Sequence, residues 1–335
     1  MLGKISLALA AAMAMFAQAT QAPSLPEPIR VNISEVIVPV TVTDIKGRFV
    51  SNLELKDFKL FDEGKPQTIR YFSHEQNQPV VVGFLIDMSN ANRLHWKTYQ
   101  EAAIDLVTQL LPGDKRYNGY LISYSNEAEL QMDTTWDSEK IIDKIRRMKP
   151  GGGAALYDAI YLACTRRLQV KGEPLEPRRV LVIIGDGHDN ASKKSIDEVL
   201  EIAQRKMVTI FGISTKAYGF AAEGEANLTR ITGETGGRVM YPLEGVYKDV
   251  AGYLSTPSDE GNYALKVNTG GYAAAIASGM FRAIADVTGE VTTQYVLRYI
   301  PTDTDVPKTF RNIRVEVNVP GVQVRARKGY FPDVP

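Results

Sequence analysis

The pattern of apolar and polar positions divides the chain into a central α/β part and two β-rich flanks. Residues 79–87 form an apolar run, much of it β-branched, that ends abruptly at Asp87. A short run of this kind, bounded by turn-forming residues, is typical of a strand buried on both faces of a parallel sheet. Because ligands of open α/β sheets bind outside the carboxyl ends of the strands, Asp87 is a candidate functional residue.

Helical and strand-like segments alternate through the rest of the central part. The periodicity predicts helices over residues 92–111, 137–148, 155–168, 195–206, 225–235 and 273–288. It predicts strands over 117–125, 127–132, 178–184, 208–214 and 238–241, the second being an antiparallel neighbour of the first. Leu94 and Tyr99 fall at helical spacing in the first helix. This alternation predicts an α/β fold with a doubly wound, mainly parallel, Rossmann-like sheet.

Two β-rich segments, residues 23–78 and 290–335, bracket the central residues 79–289. The predicted strands cover 31–43, 58–61, 68–72, 292–300, 312–319 and 322–327. Neither segment has enough apolar surface to fold alone. The economical arrangement pairs them into one small β-sandwich, with the α/β domain inserted between its strands. The stretch 243–272 has no clear period, and loops of this length are usually functional or mobile.

Residues 1–22 have the features of a cleaved secretory signal. Lys4 precedes an apolar stretch of about 12 residues, and Ala17-Gln18-Ala19 fits the small-x-small cleavage pattern. The stretch is short for a membrane span, which needs about 20 residues. We therefore expect export to the periplasm, the cell surface or the medium, and an uncleaved anchor is the alternative.

Composition and charge exclude several classes of function. The 39 basic residues balance 39 acidic ones, so no electrostatic footprint for nucleic acid or an anionic membrane is present. The one cysteine, Cys164, excludes an intrachain disulfide and is expected to be a small buried side chain on a helix. The sequence shows no nucleophile elbow and no zinc-binding helix motif, and its three histidines form no catalytic constellation, which predicts that the protein is not an enzyme.

Three motifs carry a resemblance to a known family. Asp87-x-Ser89 after the first central strand, a Gly-Gly-x-x-Leu-Tyr-Asp stretch at 152–158, and Gly185-Asp186-Gly187 resemble a von Willebrand factor A domain. The flanking stretches are similar to those of a related family first described in acidobacteria; they are 38–72, 294–303 and 313–331. The resemblance covers nearly all of the mature chain apart from 243–272.

The resemblance implies a metal-ion-dependent adhesion site. The family pattern is Asp-x-Ser-x-Ser on the first loop, Thr on the second and Asp on the third, and Asp87, Ser89 and Asp186 stand at matching positions. Ala91 replaces the second serine and Ala154 replaces the threonine, so two oxygen ligands are lost. Mg²⁺ prefers about six oxygen ligands, and it keeps several waters. We therefore expect a degenerate Mg²⁺ site.

Four further residues lie near these loops in sequence and are predicted to form a partner-binding rim: Asn90, Asn92, His188 and Asp189. An alternative interpretation makes Asp87 and Asp186 loop-capping carboxylates that accept backbone N–H bonds. Three glycines before the helix at 155 are a further candidate, because a helix N-terminus of this kind could bind an anion.

The predicted function is an exported, non-catalytic, adhesion-type module. It would bind a protein or matrix partner through the top face of the VWA-like domain, using an acidic residue of the partner. The alternative is a metal-free scaffold that binds through 243–272 or by strand addition at a sheet edge. A third interpretation, a cell-envelope enzyme, would need a catalytic group that the sequence does not offer.

Overall fold

The computed structural model describes residues 35–74, 79–166, 177–216, 222–243, 270–302 and 309–332. All of these residues fall within one compact unit, Ser34–Val334. The predicted signal at 1–22 and most of the stretch 243–272 lie outside the described residues.

The strands are numbered in chain order. They are β1 (Val36–Asp44), β2 (Phe58–Asp62), β3 (Lys65–Gln67), β4 (Tyr71–Ser73), β5 (Val80–Asp87), β6 (Tyr117–Tyr124), β7 (Ala128–Thr135), β8 (Arg178–Gly185), β9 (Val208–Ser214), β10 (Val239–Met240), β11 (Tyr295–Tyr299), β12 (Arg311–Val317), β13 (Val322–Ala326) and β14 (Gly329–Tyr330). The α-helices are α1 (Trp96–Leu110), α2 (Ser138–Ile145), α3 (Leu156–Arg166), α4 (Ile196–Arg205), α5 (Ala222–Thr235) and α6 (Gly270–Thr293).

The central sheet has the strand order β10-β9-β8-β5-β6-β7. All neighbouring pairs are parallel except β6 and β7, which are antiparallel. Every residue of β5 is buried, as expected of a strand with neighbours on both sides and helices on both faces. The structure therefore confirms the predicted doubly wound, mainly parallel α/β sheet.

Helices cover both faces of this sheet and form two separate cores. Helices α1, α2 and α6 pack on one face, with Leu106, Ile141 and Ile284 among their buried residues. Helices α3, α4 and α5 pack on the other face. Each fully buried Leu or Ile stabilises the fold by about 1.5–3 kcal/mol relative to an exposed one. The Ser195–Glu198 capping box predicted at the start of α4 is present, and it fixes where that helix begins.

The flanks form two antiparallel four-stranded sheets, in the orders β13-β1-β11-β4 and β14-β12-β2-β3. Strand β1 lies between two strands from the other end of the chain, β11 and β13. The two sheets share one hydrophobic core that includes Val38, Leu60, Leu297 and Ile313. This confirms the predicted β-sandwich built from both flanks, while the domain boundaries drawn from the sequence stay a prediction.

A buried ionic cluster joins the two flanks inside the sandwich. The Asp62 side chain is fully buried, and its Oδ1 accepts a hydrogen bond from Arg311 Nε at 2.9 Å. The hydroxyls of Tyr299 and Tyr330 donate to Asp62 Oδ2 at 2.9 and 3.2 Å. Both carboxylate oxygens are therefore satisfied, and all three partners come from the C-terminal flank.

Three local predictions were wrong in detail. The first helix begins at Trp96, because residues Asn90–Asn92 form a 3-10 turn that ends the preceding loop, and Leu94 is 65% exposed. The strands β3 and β14 were not predicted, since β3 contains a proline and β14 has only two residues. Helix α6 is longer than the predicted 273–288 at both ends. Within the described ranges, no helix combines the length and apolar character needed to cross a bilayer.

Candidate functional site

The predicted site residues lie at one edge of the central sheet, which we call the carboxyl edge. Asp87 ends β5, Tyr124 ends β6, Gly185 ends β8 and Ser214 ends β9. Because these strands are parallel, their carboxyl ends meet at the same edge. Ser89 and Asp186 follow within two residues of their strands, so the fold brings the first and third loops of the predicted metal site together.

Asp87 is buried, and its two carboxylate oxygens have different environments. The side chain is 1% exposed, and its Oδ1 accepts the backbone N–H of Ser89 at 2.8 Å. Its Oδ2 is buried without a hydrogen-bond partner. Burial is the main reason that the pKa of Asp87 is raised, to about 6; the charge of Asp186 acts in the same direction, and the hydrogen bond from the Ser89 N–H acts against it. A buried carboxylate of this kind is stabilised by a cation.

Asp186 occupies a similar loop position on the neighbouring strand. It is 5% exposed, and its Oδ1 accepts the backbone N–H of His188 at 3.0 Å. Gly187 adopts a φ of +79°, and a Cβ there would overlap the backbone oxygen of Gly224. The third loop therefore lies directly against the start of α5, and only a glycine fits at this approach.

The loop-capping interpretation accounts for one oxygen of each carboxylate. Asp87 and Asp186 both accept a backbone N–H two residues further along, which is the local turn that short acidic side chains favour. It does not account for Asp87 Oδ2, which is buried and forms no hydrogen bond.

Five buried oxygens at or just after the strand ends have no hydrogen-bond partner. They are Asp87 Oδ2, Ser89 Oγ, Asn92 Oδ1, Tyr124 OH and Thr215 Oγ1. Leaving such a group unsatisfied costs about 1–3 kcal/mol, and carboxylate, hydroxyl and amide oxygens are the ligands that hard cations prefer. The donor chemistry at the carboxyl edge therefore fits a divalent cation such as Mg²⁺. Asp87, Ser89 and Asp186 are the residues that would hold it.

The second loop packs tightly on the first but brings no oxygen of its own side chains. The N–H of Gly151 donates to Met88 O at 2.6 Å, and Asn90 N–H donates to Gly152 O at 3.1 Å. Ala154 is 2% exposed and carries only a methyl group toward the core. The position that the family pattern gives to threonine is thus present in the fold but lacks a ligand.

The start of α3 is already occupied by side chains, so the proposed anion cradle is not available. Asn126 Oδ1 accepts from Gly153 N at 2.7 Å, and Asn190 Oδ1 accepts from Ala154 N at 2.8 Å. Asp189 Oδ2 accepts from the N–H of Tyr157 at 2.8 Å. These contacts leave no room for an external anion at those N–H groups.

The four residues predicted for the rim have different surroundings. Asn90 is exposed, and His188 is half-buried. Asn92 is 2% exposed and donates from Nδ2 to the backbone oxygen of Asp87 at 3.2 Å, so it lies under the loop and not on a rim. Asp189 is half-buried and also accepts from Ser192 Oγ at 2.6 Å, so it ties the third loop to α3.

Sequence reasoning missed Tyr124 and Thr215, whose buried hydroxyls stand at this edge. Tyr124 pairs in register with Asp87, and Thr215 directly follows β9. Their position at the ends of predicted parallel strands was the available signal. Across the part of the chain that the structure describes, no group of three or more His, Cys, Asp or Glu side chains could hold a metal ion. A cation at the carboxyl edge would thus depend on hydroxyl and amide oxygens as well as on two carboxylates.

One family model matches the central part of the chain. Residues 82–245, just under half of the chain, match the family model of the von Willebrand factor type A domain. This range contains Asp87, Ser89, Ala154 and Asp186. No curated protein sequence is similar enough to the chain to count as a match.

Several solved structures are similar to this chain at low sequence identity. The conserved hypothetical protein BatB from Bacteroides thetaiotaomicron is 18% identical, over 64% of this chain and 97% of that one, with a TM-score of 0.38. Proximal thread matrix protein 1 from the mussel byssus, with a zinc-occupied MIDAS motif, is 18% identical over 54% of this chain and 46% of that one, with a TM-score of 0.40. The vWF domain of the type V pili tip protein Mfa5 from Porphyromonas gingivalis is 22% identical over 34% of this chain and 39% of that one, with a TM-score of 0.30.

Proposed function

We propose that this chain is an exported, non-catalytic protein-binding module of the adhesion type, which binds its partner at the carboxyl edge of the VWA-like sheet. The observation that carries the proposal is the meeting of Asp87, Ser89 and Asp186 at that edge. Two of their buried oxygens, Asp87 Oδ2 and Ser89 Oγ, have no partner within the protein. Export rests on the signal-like sequence of residues 1–22.

The proposed cation site is Mg²⁺-binding and degenerate. When bound, Mg²⁺ would supply a coordination position for a carboxylate of a protein or matrix partner. Ala91 and Ala154 replace two side-chain oxygens of the family pattern, so we expect weaker affinity than a full ligand set gives. The chain's own contribution is a rigid first loop, held by the bonds from Ser89 N–H to Asp87 and from Asn90 N–H to Gly152.

The surface beside this site suits a protein partner. Ala91 and Arg93 are exposed, and Leu94 is 65% exposed, so an apolar side chain and a cation stand next to the first loop. Interfaces commonly combine an apolar contact with an arginine at the edge of the patch. We propose that Leu94 and Arg93 contact residues that flank the partner's carboxylate.

Catalysis is not part of the proposal. Cys164, the one thiol, is 3% exposed, and burial raises its pKa to about 12, so it does not serve as a nucleophile at neutral pH. Asp189 is engaged in holding α3.

A metal-free scaffold is the second candidate, and one observation favours it. Strand β7 is an eight-residue edge strand of the central sheet, and it could accept an added strand from a partner. Its outward Glu129 and Asp133 are the kind of charges that discourage such pairing. Partner binding through 243–272 falls mostly outside the described residues.

The test is a calorimetric titration of the mature chain with Mg²⁺ and Mn²⁺. We expect saturable binding that is lost in Asp87→Ala. Asp114→Asn is the matched control, because Asp114 lies on the loop before β6, at the opposite edge of the sheet, and should leave binding unchanged. Absence of binding at millimolar metal would overturn the cation site and favour the metal-free scaffold.

A further inference from the structure

Tyr124 and Gly185 lie on the two strands that flank β5, one on each side of Asp87. Tyr124 stands beside Asp87 in the register of β5 and β6, and Gly185 ends β8 on the other side of β5. A Cβ on Gly185 would overlap the Tyr124 hydroxyl and would stand 2.8 Å from Asp87 Cβ and 3.1 Å from Asp87 Oδ2. The tyrosine side chain therefore crosses β5, and its hydroxyl occupies the space that the glycine leaves beside Asp87.

This hydroxyl is a donor without an acceptor inside the protein. Tyr124 is 1% exposed, and both its OH and Asp87 Oδ2 lack a hydrogen-bond partner. A phenolic hydroxyl can both donate and accept hydrogen bonds, and beside the Asp87 carboxylate, whose oxygens only accept, it is placed to act as a donor.

Packing alone does not explain the hydroxyl. The ring belongs to the hydrophobic core between the sheet and α3, and a phenylalanine would fill the same space without burying an unpaired polar group. The same strand contains a second tyrosine with a similar arrangement, because Tyr120 pairs with Gly83, and a Cβ there would stand 2.6 Å from the Tyr120 hydroxyl. Tyr120 lies four residues before Tyr124 and away from the carboxyl edge. A change at Tyr120 therefore reports on the stability of the fold, whereas a change at Tyr124 also reports on the cation site.

We propose that Tyr124 is a positioning residue of the cation site, which acts on Asp87 from the end of β6. Through one water molecule the Tyr124 hydroxyl holds Asp87 Oδ2 in the orientation that a cation requires. A buried water needs two or more polar partners, and the hydroxyl and the carboxylate oxygen are two such groups facing the same space. The proposal rests on the cation site proposed above, and it adds a residue outside the three loops of the family pattern.

The experiment compares Tyr124→Phe with Tyr120→Phe in the full mature chain, by calorimetric titration with Mn²⁺. We expect Tyr124→Phe to weaken the cation affinity by about 10–100-fold, as loss of a group that orients a metal ligand commonly does. Tyr120→Phe should bind like the unchanged chain.

The outcomes separate this proposal from the proposed function. If the unchanged chain binds and Tyr124→Phe binds equally well, the positioning role is overturned while the cation site stands. If the unchanged chain does not bind, both fail. Should Tyr124→Phe not fold, the near-ultraviolet difference spectrum of the unchanged chain decides the matter. A tyrosine band that appears on addition of Mg²⁺, and persists in Tyr120→Phe, supports the role, and its absence contradicts it.

Discussion

The β-sandwich and the carboxyl edge each bury an aspartate, but they treat it in opposite ways. Asp62 is fully buried, and one arginine and two tyrosine hydroxyls satisfy both of its oxygens. Asp87 is 1% exposed, and its Oδ2 has no partner. Since a buried charge is stable only when it is paired, the first carboxylate is completed within the protein, and the second is the one to which we assign a cation in the proposed function.

The same difference extends to the tyrosines around them. Tyr299 and Tyr330 donate directly to Asp62, whereas the Tyr124 hydroxyl stands near Asp87 and donates to nothing in the protein. The two aspartates are therefore equally buried and differ in whether the protein itself completes their hydrogen bonds.

The largest effect is expected from breaking the sandwich cluster. Asp62→Ala would leave Arg311 buried with no opposite charge, and we expect the free energy of unfolding to fall by about 3–5 kcal/mol. Urea denaturation monitored by circular dichroism measures this. A loss below about 1 kcal/mol, the value of an exposed ion pair, would show that the cluster is not the structural link that its contacts indicate.

The second largest effect is expected at the carboxyl edge, where changing the buried aspartate should matter only when Mg²⁺ is present. In metal-free buffer at neutral pH Asp87→Asn should be at least as stable as the unchanged chain, because no protein partner is lost from Oδ2 and the amide avoids burying a carboxylate whose pKa is raised. At about a hundred times its Kd, Mg²⁺ should stabilise the unchanged chain by about 2.7 kcal/mol and leave Asp87→Asn unaffected. Thermal unfolding with and without Mg²⁺ checks both statements, with Asp114→Asn as control. A large destabilisation of metal-free Asp87→Asn would make Asp87 a structural residue like Asp62.

A smaller effect should follow from restoring a missing oxygen. Ala91 is exposed, so Ala91→Ser adds a hydroxyl without steric cost, and we expect the Mg²⁺ affinity to rise by about tenfold, or about 1.4 kcal/mol. Ala154→Thr should gain less, because Ala154 is 2% exposed and the larger side chain must displace neighbours. Calorimetric titration of each variant measures the change. Equal affinity of Ala91→Ser and the unchanged chain would show that the first loop does not face the cation.

The smallest effect concerns a buried group outside both regions. Because burial raises the pKa of Cys164 to about 12, its thiol should react slowly with a disulfide reagent at pH 8 and rapidly in urea. Labelling then requires opening of the structure, so Mg²⁺ should slow it in the unchanged chain and not in Asp87→Asn. Rapid labelling of the native chain would contradict the buried position of α3.

Much of the fold follows from the hydrophobic pattern, and particular residues show where that pattern stops being informative. The run that became β5 and the Ser195–Glu198 capping box are local signals, and both were predicted correctly. The sandwich was predicted because neither flank could bury its own surface. Leu94 was wrongly assigned to the first helix, because its spacing from the following apolar residues is helical. In the structure it lies between the 3-10 turn at Asn90–Asn92 and the start of α1, and it is exposed.

The site was less accessible to sequence reasoning, because its contacts are long-range. Asp189 looked like a rim residue, and only its bond to Tyr157, 32 residues away, shows that it anchors α3. Asn92 was placed on the rim by proximity, and its burial depends on how the first loop turns back over β5. From the sequence Tyr124 is an ordinary strand residue, because its closeness to Asp87 depends on the register of β6 with β5 and on the glycine that ends β8.

Binding of a divalent cation at the carboxyl edge through Asp87, Ser89 and Asp186 is tested most directly by anomalous diffraction. Crystals of residues 23–335 are grown with Mn²⁺. We predict an anomalous peak among these three side chains, which disappears in crystals of Asp87→Asn. Crystals that contain Mn²⁺ elsewhere, or none at this edge, would contradict it.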